Sequence, residues 1–157
     1  MDTQIGIISD NRAQVAQALN VFLADEFVLF TKTKNAHWNV EGANFHGLHL
    51  FFEEQSKALD DIADSIAERI RTLGHYAPAT LKEFLDLTHF SEQLWEINDG
   101  PGFIRELLND HESLIMQFRQ KVNYFAIDLK DAGSSDYITG LIETHEKMAW
   151  MLRSHLQ

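Results

Sequence analysis

The sequence predicts an all-α fold: four long helices in a bundle, with a short extra helix in the long connection between helices 2 and 3. Three observations point there. Apolar residues recur at steps of three and four through four long segments, the pattern of helices that bury one face. The chain has only two prolines, Pro78 and Pro101, and both stand outside those periodic runs. Glycine- and serine-containing breaks separate the runs, as turns between helices require.

Each element follows from local sequence. Residues 1–10 read as a short N-terminal arm and 11–157 as a single domain. Ser9, Asp10 or Asn11 is placed to cap a first helix over about 12–39. Its apolar positions include Val15, Leu19, Phe22, Val28, Leu29 and Phe30, and Val21, Leu23 and Phe27 widen the stripe. Gly42, Ala43 and Asn44 break the pattern. A second helix spans about 46–73, with Leu48, Phe52, Leu59, Ile62, Ile66, Ile70 and Leu73 on its core face, and Gly74 stops it. Residues 75–100 form the longest connection. Thr80 opens a short helix there with Glu83 as its capping-box partner. A third helix begins near Pro101, a favourable first-turn residue. Its stripe, Phe103, Leu107, His111, Leu114, Phe118, Val122, Phe125 and Leu129, is unbroken. Residues 131–135 (D-A-G-S-S) end it, and Ser134 or Ser135 caps the fourth. That helix repeats Ile138, Leu141 or Ile142, His145, Met148, Leu152 and Leu156.

Composition narrows the function classes. A chain of 157 residues is long enough for a real core. Its net charge of −11 (13 basic against 24 acidic side chains) works against non-specific binding to nucleic acid or an anionic membrane, and favours cations. There is no cysteine, hence no disulfide framework and no thiolate metal site. The N-terminal residues lack the basic and apolar regions of a signal peptide. No window approaches a membrane-spanning run of uncharged apolar residues. The expectation is a cytoplasmic protein with no membrane partner.

The chemistry concentrates between Asn35 and Arg69. His37 and His49 flank the glycine-containing break, and Asp60, Asp64 and Glu68 follow at four-residue spacing. Imidazole with carboxylate is the ligand mixture of a transition-metal site for iron, zinc or manganese. His49 and Asp64 are 64 − 49 = 15 residues apart. On one straight helix they share roughly one face but stand about 22 Å apart. Metal–ligand bonds of about 2 Å cannot span that. If both bind one metal, the carboxylates come from a second copy of the chain, related by a two-fold axis. Taken singly, the acids read as solvated helix surface, with Lys57, Arg69 and Arg71 as exposed partners. His37 reads singly as a helix-end capper, His49 as a surface residue, and His111 and His145 as hydrogen-bonded interior residues. No glutamate has a histidine three residues later, so the intrachain di-iron arrangement of Glu-x-x-His helices is absent. Zinc-hydrolase, P-loop, nucleophile-elbow and dinucleotide motifs are absent too.

The run H-W-N-V-E-G-A-N-F-H-G-L-H, followed by the D-x-x-x-E-R spacing of Asp64, Glu68 and Arg69, resembles the Dps family of mini-ferritins, the DNA-binding proteins from starved cells. The stretch from Asp136 to Leu152 resembles that family's last helix. The likeness covers nearly the whole chain after the first ten residues. It implies a ferritin-like four-helix bundle assembled as a hollow homo-dodecamer of two-fold dimers. It implies a ferroxidase site between paired subunits, with His37 and His49 from one chain and Asp64 and Glu68 from the other. Glu53 stands where an aspartate often helps to bind the second iron, Trp38 beside the site, Arg69 near acids with which it pairs, and Asp136 on an acidic three-fold pore. The implied activity is oxidation of Fe²⁺ to Fe³⁺, by hydrogen peroxide ahead of dioxygen, with ferric mineral stored in the cavity and protection against oxidative damage. The alternative is a non-enzymatic shell that protects DNA or holds Zn²⁺. The first eleven residues contain no lysine or arginine, which argues against direct DNA binding.

Overall fold

The computed structural model describes residues 3–92 and 97–157. Met1, Asp2 and residues 93–96, in the arm and the long connection, lie outside the described residues. Among the described residues, five α-helices follow in order: α1 Ser9–Asn39, α2 Phe45–Thr72, the short α3 Leu81–Leu87, α4 Gly100–Asn123 and α5 Ala132–Ser154. Helix α1 packs along α2, α4 along α5, and α3 lies against α1. The predicted architecture is the observed one.

The predicted stripes are the core. Phe52, Phe103, Phe118 and Phe125 are among the largest fully buried side chains, with Leu19, Leu59, Ile66 and Leu107 around them. Each contributes about 1.5–3 kcal/mol by leaving water. Phe22 meets Phe118 edge-on at 4.7 Å, which links α1 to α4. Helix α1 is long and apolar enough to cross a membrane by length and composition, although it contains no uninterrupted run of uncharged apolar residues of that length. Of that apolar window 56% is buried, because its neighbours in the bundle cover it.

Several ends are built as the sequence predicts. Thr80 and Glu83 form the reciprocal capping box of α3. Gly74 follows α2 with φ +91°, and a side chain there would strike Thr3 of the arm. Others differ. Helix α1 starts at Ser9 behind Ile8, with no side-chain cap. The arm is tied down instead: Arg12 donates to the Ile7 carbonyl at 2.6 Å, and Asn11 to the Leu129 carbonyl at 2.8 Å. Helix α4 gives way after Asn123 to a π-helical turn, Tyr124–Asp128, with Leu129 N–H bonded to the Tyr124 carbonyl. This wider turn keeps both Phe125 and Leu129 buried.

The cap of α5 is Asp131 in place of Ser134 or Ser135. Its carboxylate accepts from the Ser134 N–H at 2.9 Å and from the Ser134 hydroxyl at 2.6 Å. Arg69 of α2 completes this cap, donating to Ser134 Oγ and to Asp131 Oδ1. Arg69 therefore pairs with an acid on α5 and holds the start of that helix against α2.

A polar chain runs through the bundle interior. His111 on α4 and His145 on α5 are fully buried, as interior residues expected to be hydrogen-bonded, and the structure shows that they bond each other, with Nδ1 atoms 2.9 Å apart. His145 Nε2 also stands 2.8 Å from Oε1 of Glu26 on α1, itself fully buried. That contact has ion-pair distance without hydrogen-bond alignment. Nearby on α1, the buried Asp25 accepts from the Thr88 hydroxyl and the His89 N–H, both at 2.7 Å, and so fastens the long connection.

Two stability predictions follow from these contacts. Burial, with His145 adding to it, holds the His111 imidazole well below its usual value near 6.5. The unfolded chain therefore takes up a proton near pH 6.5 that the folded chain refuses. Stability is fully present above that pH and declines below it, by up to about 1.4 kcal/mol per pH unit. Urea unfolding at pH 7.5 and 5.0 should show a smaller decline for His111→Asn than for the parent; parallel declines contradict this. Arg69→Ala leaves the buried Asp131 with one partner fewer and should cost about 1–3 kcal/mol in the same assay.

Candidate metal centre

The centre begins at the reversal between α1 and α2. His37 lies in the last turn of α1, and Val40 N–H closes that end on the Ala36 carbonyl. Gly42, at φ +115°, allows the reversal, and α2 starts three residues later at Phe45. His49 then comes level with His37, and the rings stack with centroids 4.1 Å apart and planes inclined by 22°.

Their hydrogen bonds are reciprocal. His37 Nδ1 donates to the backbone carbonyl of His49 at 2.8 Å, and His49 Nδ1 to that of His37 at 2.8 Å. A carbonyl only accepts, so each Nδ1 carries the proton. In this tautomer it is Nε2 of each ring that is left to offer a lone pair to a metal. The two rings hold each other's orientation through the backbone of both helices.

The remaining predicted residues separate into those near the pair and those far from it. Glu53, one turn beyond His49, bonds Lys57 at 2.9 Å. That bond and the Lys57 charge hold its carboxyl below the usual value, and His37 and His49 add to the effect. Trp38 is 69% exposed beside His37, and Phe45, tilted against His49 at 5.3 Å, is 46% exposed. Together they leave apolar surface at the mouth of the histidine pair.

Asp60, Asp64 and Glu68 are exposed on the same unbroken helix as His49. The rise of 15 residues places Asp64 about 22 Å from His49. Among the described residues no three histidine, aspartate or glutamate side chains converge on one metal position. One chain thus brings His37 and His49 together, with Glu53 close by, and leaves Asp64 and Glu68 apart from them. Asp136 is exposed in the second turn of α5.

The sequence reading passed over Glu26, the buried partner of His145, and Asp131, the partner of Arg69. An acid inside an apolar stripe was the available signal for Glu26. For Asp131 it was an acid three residues before a serine at a helix start.

Comparison with known proteins gives a consistent picture. The ferritin-like domain model matches residues 16–157. The chain is 36% identical to the DNA protection during starvation protein 2 of Bacillus anthracis over 143 residues, 91% of this chain and 97% of that one. It is 40% identical to an uncharacterized low temperature-induced protein of Nostoc sp. over 153 residues, 98% of this chain and 86% of the other. The crystal structure of a Dps protein from Vibrio cholerae O1, described as a member of a broad superfamily of ferritin-like diiron-carboxylate proteins, superposes with TM-score 0.92 at 31% identity. That match covers 100% of this chain and 98% of the other. With its helix order, its histidine reversal and these similarities, the chain belongs to the Dps family of ferritin-like proteins.

Proposed function

We propose that this chain is the subunit of an iron-storing mini-ferritin whose ferroxidase sites lie between two-fold-related copies. The reciprocal lock of His37 and His49 carries this reading. It presents two imidazole Nε2 atoms on which, among the described residues, no third ligand converges, while Asp64 and Glu68 stand on the same helix about 22 and 28 Å away. An antiparallel α2 from a second copy sets its carboxylates beside this histidine pair. Two sites of composition His37, His49, Asp64 and Glu68 result, with Glu53 at each for a second iron.

Iron is the substrate in this reading. The histidines orient incoming Fe²⁺, and the hard anionic carboxylates stabilise the Fe³⁺ product over it. Two Fe²⁺ ions each give up one electron, and the O–O bond of hydrogen peroxide takes both and breaks. Hydrolysis of Fe³⁺ releases protons and deposits oxyhydroxide in the cavity of a homo-dodecamer. Dioxygen is the slower oxidant. Asp136 lines an acidic pore that draws cations inward.

Several relatives are named for DNA protection. Here that protection is chemical, through removal of iron and peroxide together. The arm that would reach a phosphate backbone has no basic residue before Arg12 and is folded against Gly74. A Zn²⁺-holding shell without turnover is the second reading, since Zn²⁺ suits the same ligands.

Rapid mixing of the metal-free protein with Fe²⁺ and hydrogen peroxide tests the proposal, with the shell's mass measured by sedimentation. A dodecamer with fast oxidation is expected, and His49→Ala and Glu68→Ala should each slow it at least about tenfold without dissociating the shell. Monomers or dimers alone would defeat the storage reading, and unchanged rates in both variants would defeat the site.

A further inference from the structure

We propose that Lys57 is the counter-charge at the two-fold centre of this paired surface, holding two acidic α2 helices together until metal arrives. The inference rests on the interface reading above and adds to it a residue, a place and a partner surface.

Between Phe45 and Glu68, α2 carries six acids, Glu53, Glu54, Asp60, Asp61, Asp64 and Glu68, and Lys57 is the one lysine or arginine among them. The local balance is 1 − 6 = −5 per helix. At about 100° per residue, all six acids fall within about 60° of Lys57 around the helix. Lys57 is therefore the middle of an acidic face. Glu53 is half-buried on this face, and the other five acids are exposed. Among the described residues the only ion pair on it is Lys57 with Glu53. Of the cations on or beside α2, Arg69 holds Asp131, Arg71 bonds the His75 carbonyl and covers the Tyr76 ring, and Lys147 of α5 shares a groove with Glu54 at the edge of this face.

Symmetry places the axis on the same residue. If His49 of one chain faces Asp64 of its mate, the helices cross at (49 + 64)/2 = 56.5. If it faces Glu68, they cross at (49 + 68)/2 = 58.5. Lys57 lies between these values, so Lys57 of each chain meets the other helix near its own centre. There it comes opposite residues 56–60 of the second copy, Asp60 among them. Twelve α2 carboxylates then approach across the interface, with the two Lys57 side chains as the α2 cations at its centre. Bound Fe²⁺ neutralises the outer acids at each end, and Lys57 is left to neutralise the middle.

The test uses the full chain. At about 0.01 M ionic strength with chelator, where screening reaches about 30 Å, Lys57→Met should weaken subunit pairing on the order of tenfold by sedimentation. Salt at about 1 M, where screening reaches about 3 Å, should restore it, as should Zn²⁺, and Lys57→Arg should pair like the parent. Equal pairing of Lys57→Met and the parent across this range overturns the proposal. The chain has no cysteine, so Lys57→Cys gives a second measurement. Mild oxidation should link two chains, because a disulfide needs Cα atoms within about 7 Å. An intact shell that fails to cross-link puts the axis elsewhere and overturns the placement of Lys57, while the split ligand set can still stand.

Discussion

The straightness of α2 is the constraint on which the rest depends. It runs from Phe45 to Thr72 without a break, so His49 and the Asp64–Glu68 pair can never approach one another within a chain. A rigid rise of about 1.5 Å per residue turns a ligand list into a statement about assembly. In the proposed assembly the single chain is half of a site: two oriented imidazoles at one end of the helix and two solvated carboxylates at the other. Trp38 and Phe45, exposed at the histidine end, fit the same conclusion, since a monomer gains nothing by leaving such rings in water.

What holds α2 straight and in place is partly polar. Arg69 joins it to the cap of α5, one residue beyond Glu68 and five before Asp136 counted from Asp131. The interior line of Glu26, His145 and His111 crosses α1, α5 and α4. Burying such groups is costly, and apolar residues of similar size would often be as stable. The His111–His145 hydrogen bond and the Arg69 contacts join α4 to α5 and α2 to α5 at defined points along the helices.

Much of this was legible in the sequence, and the reasons differ by feature. The stripes of α2 and α4 predict their burial because periodicity reports the core face directly. Gly74 and the Thr80–Glu83 box mark ends through local chemistry that tertiary contacts leave unchanged. The cap of α5 was misplaced because Arg69, 62 residues before Asp131, helps to select that acid over the serines. Glu26 is marked in the sequence as an acid inside an apolar stripe, but its partner His145 is identified only by the packing of α1 against the bundle. For the centre, spacing alone separated His49 from Asp64. The reciprocal Nδ1 bonds of His37 and His49 needed coordinates, since they depend on how closely the α1–α2 reversal brings two backbones.

The most direct measurement mixes two inactive variants. His49→Ala and Glu68→Ala shells are prepared separately, dissociated, combined and reassembled, and Fe²⁺ oxidation by peroxide is followed. In a mixed dimer, the Glu68→Ala chain supplies His37 and His49 while the His49→Ala chain supplies Asp64 and Glu68, which rebuilds one site of two. Random pairing makes about half the dimers mixed, so about a quarter of the parent activity should return. Verified exchange of subunits with no recovery would mean that each site draws all its ligands from one chain, and would contradict the account.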